Sequence, residues 1–192
     1  MKILVIGGGG FIGLALVEKL VAAGHSVTVI GRRQRNPLLP AAVPFIQINR
    51  KDTLGFAAQK KLFDVVYDMA AFTPRDILQI IECFSEQKIR YIYVSTASVY
   101  GNPTHSDIIK EDSPLEPIQW HDYGRNKLLA EEELFKCSSI TSVIVRPCMV
   151  YGPRDSHEVR AYYFMHRIFQ EIPLIIPGSL SVKNNYIYVD DL

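Results

Sequence analysis

Short apolar runs alternate along this chain with longer stretches whose apolar residues recur at helical spacing. Lys2-Ile3-Leu4-Val5-Ile6 reads as a buried strand, and Leu14-Ala15-Leu16-Val17-Glu18-Lys19-Leu20-Val21 as the helix that follows it. Gly24 supplies a C-terminal stop, after which Ser26-Val27-Thr28-Val29-Ile30, rich in β-branched residues, reads as a second buried strand. A strand, helix, strand unit of this kind closes right-handedly into a parallel pair. The alternation continues through a loop over 34–42 with Pro37 and Pro40, a short strand Val43 to Ile48, and a weak helix from Thr53 to Lys61. Asp64-Val65-Val66-Tyr67-Asp68 is the next strand. Thr73-Pro74 then caps a helix whose buried face is Ile77, Ile80, Ile81 and Phe84. Tyr91-Ile92-Tyr93-Val94 follows as a strand, then a helix from Tyr123 to Lys136 and a strand Ser142 to Arg146 that Pro147 ends. A last helix covers Val159 to Gln170, and Leu174 to Pro177 is a short extended piece. Strands and helices in this alternation predict the α/β class with a parallel sheet.

The first turn of that pattern carries chemistry. Gly7-Gly8-Gly9-Gly10-Phe11-Ile12-Gly13 sits between strand and helix, and a phosphate can rest on the free N–H groups of a helix N-terminus only where no side chain blocks it. The frame Gly7-x-x-Gly10-x-x-Gly13 offers a turn, an open face for a pyrophosphate, and close packing of helix on strand. About twenty positions beyond such a turn, at the end of the second strand, the chain meets the adenosine ribose. Gly31-Arg32-Arg33 holds that place. An acidic residue there would bond the 2′ hydroxyl and repel a 2′-phosphate, whereas a guanidinium forks onto phosphate oxygens, so Arg32 first and Arg33 second point to NADP(H) over NAD. The fourth strand runs into Met69-Ala70-Ala71, where small residues suit the close approach of a flat cofactor. Residues 101–121, polar and punctuated by Pro103, Pro114 and Pro117, read as a binding loop or lid.

Composition narrows the classes. With 48% hydrophobic and 21% charged residues in 192, the chain can bury one substantial core. Its 21 basic and 20 acidic residues are interspersed, so no global attraction to nucleic acid or to an anionic membrane is implied, and no apolar stretch approaches membrane-spanning length. Cys83, Cys137 and Cys148 lie far apart with no Cys-x-x-Cys pairing, which suggests neither a disulfide framework nor a zinc site and fits a reducing cytoplasm. The five histidines show no metal-ligand spacing, so no metal is expected.

Tyr123 and Lys127 are four residues apart on one helix, so both side chains leave from one face. An ammonium near a phenol favours the phenolate, lowering its pKa from about 10 towards neutrality and suiting it to exchange a proton with an alcohol or carbonyl. A nearby hydroxyl side chain would hold the substrate oxygen in line.

Several ordered motifs now resemble a known family. They are the glycine turn, Asp64-Val65-Val66-Tyr67-Asp68-Met69-Ala70-Ala71, Tyr93-Val94-Ser95-Thr96-Ala97-Ser98-Val99-Tyr100-Gly101, Tyr123-Gly124-Arg125-Asn126-Lys127, Arg146-Pro147-Cys148-Met149-Val150-Tyr151-Gly152-Pro153 and Tyr188-Val189-Asp190-Asp191-Leu192. Together they resemble the extended short-chain dehydrogenase/reductases, the NAD-dependent epimerase/dehydratase family, and cover the chain from end to end. The resemblance implies a Rossmann-type, doubly wound parallel sheet with helices on both faces and an active site at the carboxyl ends of the strands. It also implies that Thr96, five residues before Gly101, hydrogen-bonds the reacting oxygen, that Tyr123 is the acid/base, and that Lys127 binds the nicotinamide ribose and tunes the tyrosine. Gly7, Gly10, Phe11, Ile12 and Gly13 would hold the pyrophosphate, and Arg32, Arg33, Met69, Ala70, Ala71, Ser95 and Pro147 would line the cofactor.

Two positions depart from the resemblance. Family members carry His or Asn where this chain has Asp68, and their adenine-contacting acidic residue is here Asn49. The first departure resembles a divergent branch that includes chloroplast RNA-binding members, some without the catalytic tyrosine and lysine; this chain keeps both. The chain ends in the Val189-Asp190-Asp191-Leu192 motif, which in the family precedes more of the substrate region. The expected division is therefore a nucleotide-binding domain over 1–170 and, over 171–192, the start of a truncated substrate region. The expected activity is that of an NADP(H)- or NAD-dependent oxidoreductase, epimerase or dehydratase acting on a nucleotide-sugar or similar small molecule, with a homodimer as a compatible assembly. The alternative is a non-catalytic nucleotide-sensing or RNA-binding protein on the same fold.

Overall fold

Six parallel strands, β1 (Lys2–Ile6), β2 (Ser26–Gly31), β3 (Phe45–Gln47), β4 (Val65–Asp68), β5 (Arg90–Val94) and β6 (Thr141–Val145), form one sheet in the order β3-β2-β1-β4-β5-β6. The computed structural model describes residues 1–52, 63–101, 108–118, 122–155, 161–175 and 185–192. Contacts gather the chain into two units, Met1–Arg146 and Pro147–Leu192, and the sheet belongs to the first. The boundary drawn from sequence at 170/171 falls inside the second.

Successive side chains of a strand point to opposite faces of a sheet, and this chain covers both. Leu4, Ile6, Val66, Tyr91 and Tyr93 meet α2 (Pro74–Phe84) and α3 (Asp122–Lys136) through Ile77, Ile80, Phe84, Ala130 and Leu134. Ile3, Val5, Val27, Val29 and Val65 face the other way and meet α1 (Phe11–Ala22) through Leu14 and Val17. Burial on both faces explains why the strands read as unbroken apolar runs. The order is that of a Rossmann-type sheet, which reverses between β1 and β4 and opens a crevice at their carboxyl ends.

Element boundaries follow local chemistry. The strand expected over Val43 to Ile48 contracts to Phe45–Gln47, since Pro44 has no N–H to donate to a ladder. The helix expected over 53–61 lies outside the described residues. Phe11 opens α1 three residues before the periodic apolar run begins, so the glycine turn is the helix N-terminus itself. A short 3₁₀ turn over Ala97–Tyr100 follows β5, with Thr96 as its cap.

The second unit holds a parallel pair, β7 (Met149–Tyr151) and β8 (Tyr186–Tyr188), and α4 (Ala161–Phe169). No periodicity announced these strands, because three residues are too few to show one. Among the described residues no helix is long and apolar enough to cross a membrane, and no group of three or more His, Cys, Asp or Glu could hold a metal ion.

Candidate active site

β1 ends in the glycine turn. Gly7 donates its N–H to the carbonyl of Ile30 at 2.8 Å and takes φ +83°, which turns the chain sharply into α1. At Gly13 a Cβ would come within 2.5 Å of the Gly7 carbonyl oxygen and 2.7 Å of the Gly8 Cα, so only glycine lets the helix lie this close to the turn. The α1 N-terminus has no side-chain cap and no acidic residue in its first turn. By contrast, α2 is capped internally: the Asp76 carboxylate accepts from the N–H groups of Phe72 and Thr73 and from the Thr73 hydroxyl, each at 2.9 Å. A first turn left bare at the end of β1 suits a phosphate.

From this turn a cleft of about 920 Å³ runs along the carboxyl ends of β1, β2, β3 and β4. Gly7, Gly10, Arg32, Arg33, Asn49 and Ala70 all line it, so the structure gathers six of the sequence-derived nucleotide residues in one place. Arg32 and Arg33 are exposed. The Asn49 side chain accepts from the Lys51 N–H at 3.1 Å, which shapes its own turn. A Cβ at Gly7 would lie 3.3 Å from the Cβ atoms of both Met69 and Ala70, so the turn rests on the segment that follows β4. Phe11 and Ile12 are half-buried in the first turn of α1.

The same segment reaches Lys127 and Tyr123. Lys127, 2% exposed, donates from Nζ to the Ala71 carbonyl at 2.7 Å and to the Val94 carbonyl at 2.8 Å, tying together the ends of β4 and β5. Its ammonium lies 4.8 Å from the ring centres of Phe72 and Tyr93 and 6.0 Å from that of Tyr123, which stands one turn earlier on α3 and is 37% exposed. Burial pushes Lys127 down to about 8, against the opposing pull of Asp68. Lys127 thus carries a proton less firmly in the folded protein than in the unfolded chain, where the ordinary value is 10.5. Between these values the unfolded chain binds more protons, so stability rises with pH; the gain is complete above the unfolded value and is lost as pH falls through the folded one. Wild-type protein is therefore expected to gain melting temperature relative to Lys127→Met as pH goes from about 8 to about 10. Parallel melting curves across that range would contradict it.

Thr96 is buried, and its Oγ1 both donates to Ser98 Oγ and accepts from the Ser98 N–H, each at 3.2 Å. The 3₁₀ turn meets α3 at Gly124, where a Cβ would lie 2.7 Å from the Ser98 carbonyl oxygen. Thr96 thus caps the turn after β5 that α3 meets, and Lys127, further along α3, bonds the carbonyls at the ends of β4 and β5. Ser95 points elsewhere: its hydroxyl donates to the fully buried Glu131, which also takes Arg146 Nη2 at 2.6 Å, while Arg146 Nη1 donates to the Tyr100 hydroxyl at 2.7 Å. That network ties α3 to the ends of β5 and β6. Pro147 opens the second unit.

Asp68, the departure noted from sequence, is fully buried at the end of β4. It accepts Arg50 Nη1 at 2.9 Å and Nη2 at 2.7 Å, the Tyr91 hydroxyl at 2.9 Å, and the N–H groups of Ala70 and Ala71. Burial alone would raise this carboxyl, but the Arg50 guanidinium together with the bonds from the Ala70 N–H and the Tyr91 hydroxyl outweighs it and holds the group below the usual carboxylate range. Sequence reasoning missed Arg50, Glu131 and Gly124. A carboxylate inside an apolar strand was the available signal, since a buried charge requires a buried partner.

Residues 3–192 match the NAD dependent epimerase/dehydratase family. The chain is 31% identical over 209 residues to the chloroplast stem-loop binding protein of 41 kDa b of Arabidopsis thaliana, covering all of this chain and 53% of that protein. It thus spans about half the length of that relative. Among solved structures, UDP-glucuronic acid 4-epimerase from Bacillus cereus in complex with UDP-glucuronic acid and NAD superposes with a TM-score of 0.83 at 26% identity, over 99% of this chain and 70% of that one. UDP-glucose 4-epimerase from Thermotoga maritima, with UDP-glucose, gives a TM-score of 0.87 at 25% identity, again over 99% and 70%.

Proposed function

The chain belongs to the NAD dependent epimerase/dehydratase family, and from that premise we propose that it is an NADP(H)-preferring oxidoreductase, epimerase or dehydratase acting on a nucleotide-sugar or a similar hydroxyl or carbonyl substrate. One observation carries the reading. Lys127 is buried and fixed by two carbonyls at the ends of β4 and β5, with Tyr123 one helical turn away and open to solvent, and the bare glycine turn stands at the same end of the sheet.

The residues present fit a dinucleotide. Gly7, Gly10, Phe11, Ile12 and Gly13 would receive the pyrophosphate, Arg32 and Arg33 the 2′-phosphate, and Asn49, Met69, Ala70 and Ala71 would line the remainder. When bound, the nicotinamide supplies hydride exchange with a substrate carbon. The protein's own part is proton handling and positioning: the Thr96 hydroxyl holds the substrate oxygen, the Tyr123 hydroxyl exchanges a proton with it, and the Lys127 ammonium stabilises the phenolate and bonds the nicotinamide ribose. Residues 1–170 make up the nucleotide-binding part in this scheme, and 171–192 begin the substrate region; a homodimer in a reducing cytoplasm is compatible with it.

The cofactor preference is tested by titrating NADPH and NADH into the parent and into Arg32→Ala. The parent is expected to bind NADPH about tenfold or more tightly, consistent with a charge-assisted phosphate contact, and Arg32→Ala to erase the difference. Equal affinities in the parent would refute it. A second reading, a non-catalytic nucleotide-sensing or RNA-binding protein, is favoured by the likeness to the Arabidopsis protein, whose name records stem-loop binding. Its sign would be RNA affinity that falls steeply with salt; retention of both Tyr123 and Lys127 weighs against it.

A further inference from the structure

We propose that Asp68 and Asp76, joined by Arg50, are positioning residues that aim the Ala71 carbonyl at the Lys127 ammonium. The proposal rests on the catalytic reading of Lys127 and Tyr123 above and adds what holds the lysine in place.

Between β4 and α2 the chain passes through Ala70, Ala71, Phe72 and Thr73, and two carboxylates take the N–H groups of all four. Asp68 Oδ1 accepts from Ala70 at 2.8 Å and Ala71 at 2.9 Å, while Asp76 Oδ2 accepts from Phe72 and Thr73, both at 2.9 Å. An amide N–H shares a rigid plane with the carbonyl of the residue before it, so successive planes are fixed here, among them the one that carries the Ala71 carbonyl. That carbonyl receives Lys127 Nζ at 2.7 Å. The Phe72 ring on the same segment lies 4.8 Å from the ammonium and 6.2 Å from the Tyr123 ring, centre to centre. Lys127 and Tyr123 thus both rest on the stretch that the two acids hold.

Two carboxylates brought to one segment repel unless a cation joins them. Arg50 is that cation: Nη1 and Nη2 reach Asp68 at 2.9 and 2.7 Å, and Nε lies 3.2 Å from Asp76 Oδ1. Asp68 is fully buried, and its oxygens also take the Tyr91 hydroxyl at 2.9 Å. A carboxylate has about four acceptor sites, and these donors fill them, so Asp68 acts through the backbone it holds and touches neither substrate nor cofactor. Capping α2 accounts for Asp76 alone, because Thr73 is the cap and Pro74 the first helical residue. Ala70 and Ala71 lie before the helix, and a second, buried carboxylate holds them. Around the ammonium, Asp68, Asp76 and Glu131 favour the proton and Arg50 opposes it, with the Tyr93 and Tyr123 rings beside it.

The experiment labels lysine Cε with ¹³C and follows the Lys127 resonance, assigned by its absence from Lys127→Met, through a pH titration of the parent and two pairs of variants. Asp68→Asn and Asp68→Leu lose the same charge, as do Asp76→Asn and Asp76→Ala, but only asparagine keeps an oxygen for the N–H groups. Lys127 is expected to titrate about one pH unit lower in Asp68→Leu and Asp76→Ala than in the matching asparagine variant, the worth of a hydrogen bond to a charged group. Asp76 is half-buried, so its pair decides the matter if Asp68→Leu does not fold. Equal midpoints within a pair of folded variants would overturn the proposal and leave the two acids a purely structural role. Unchanged turnover in Tyr123→Phe would instead remove the underlying reading, and with it the role assigned here, while leaving the titration as found.

Discussion

Tyr123→Phe is expected to lower turnover of a nucleotide-sugar substrate by about 10²- to 10⁴-fold, the range for losing a general acid/base, while NADPH affinity stays at the parent value. The substitution removes one hydroxyl and leaves the ring. That ring is in tilted contact with Phe72 at 6.2 Å and lies 6.0 Å from the Lys127 ammonium, and both contacts survive in phenylalanine. Lys127 remains anchored by the carbonyls of Ala71 and Val94, so the ends of β4 and β5 keep their spacing. The cleft lined by Gly7, Gly10, Arg32 and Ala70 does not include Tyr123. Turnover and binding should therefore separate cleanly, with product formation measured beside a fluorescence titration of NADPH. Unchanged turnover would remove Tyr123 from the chemistry, and equal loss of binding and rate would make it a structural residue.

The parts of this site that could be read from sequence are those fixed by local geometry. The glycine turn was legible because a strand, a turn and a helix stand in unbroken succession, and the pairing of Tyr123 with Lys127 because a helix sets the i, i+4 spacing. Arg32 could be placed because the turn and the second strand bracket it. Long-range pairs were another matter. Asp68 and Arg50 are 18 residues apart, and only the folded chain, which brings the segment after β3 to the end of β4, makes them partners. Ser95 matched a family position for lining the cofactor, yet its hydroxyl is bonded to Glu131, 36 residues on, because α3 lays a buried carboxylate over the end of β5. The acid in the apolar strand did announce that a partner existed, without saying which.

Gly124 shows the same limit from within a motif. It lies between Tyr123 and Lys127, and by spacing alone it reads as a neutral filler. Alanine at a helical glycine ordinarily stabilises, by up to about 1 kcal/mol, so an unhindered Gly124→Ala would be expected to raise the melting temperature. Here the added Cβ would stand 2.7 Å from the Ser98 carbonyl oxygen and 3.2 Å from its carbon, with Pro117 Cβ at 3.3 Å. The close neighbours are backbone, which cannot rotate away. Either the start of α3 or the 3₁₀ turn capped by Thr96 must move, and either shift separates Thr96 from Tyr123. Displacement of reacting groups by about 1 Å costs on the order of 10²-fold in rate, so Gly124→Ala is expected to lose kcat by about that factor. NADPH affinity should hold, because the glycine turn and Arg32 follow β1 and β2 and take no part in this contact. A variant that melts higher than the parent and turns over as fast would show that α3 and the turn have room to spare, and would dissolve the case for Thr96 and Tyr123 acting on one oxygen.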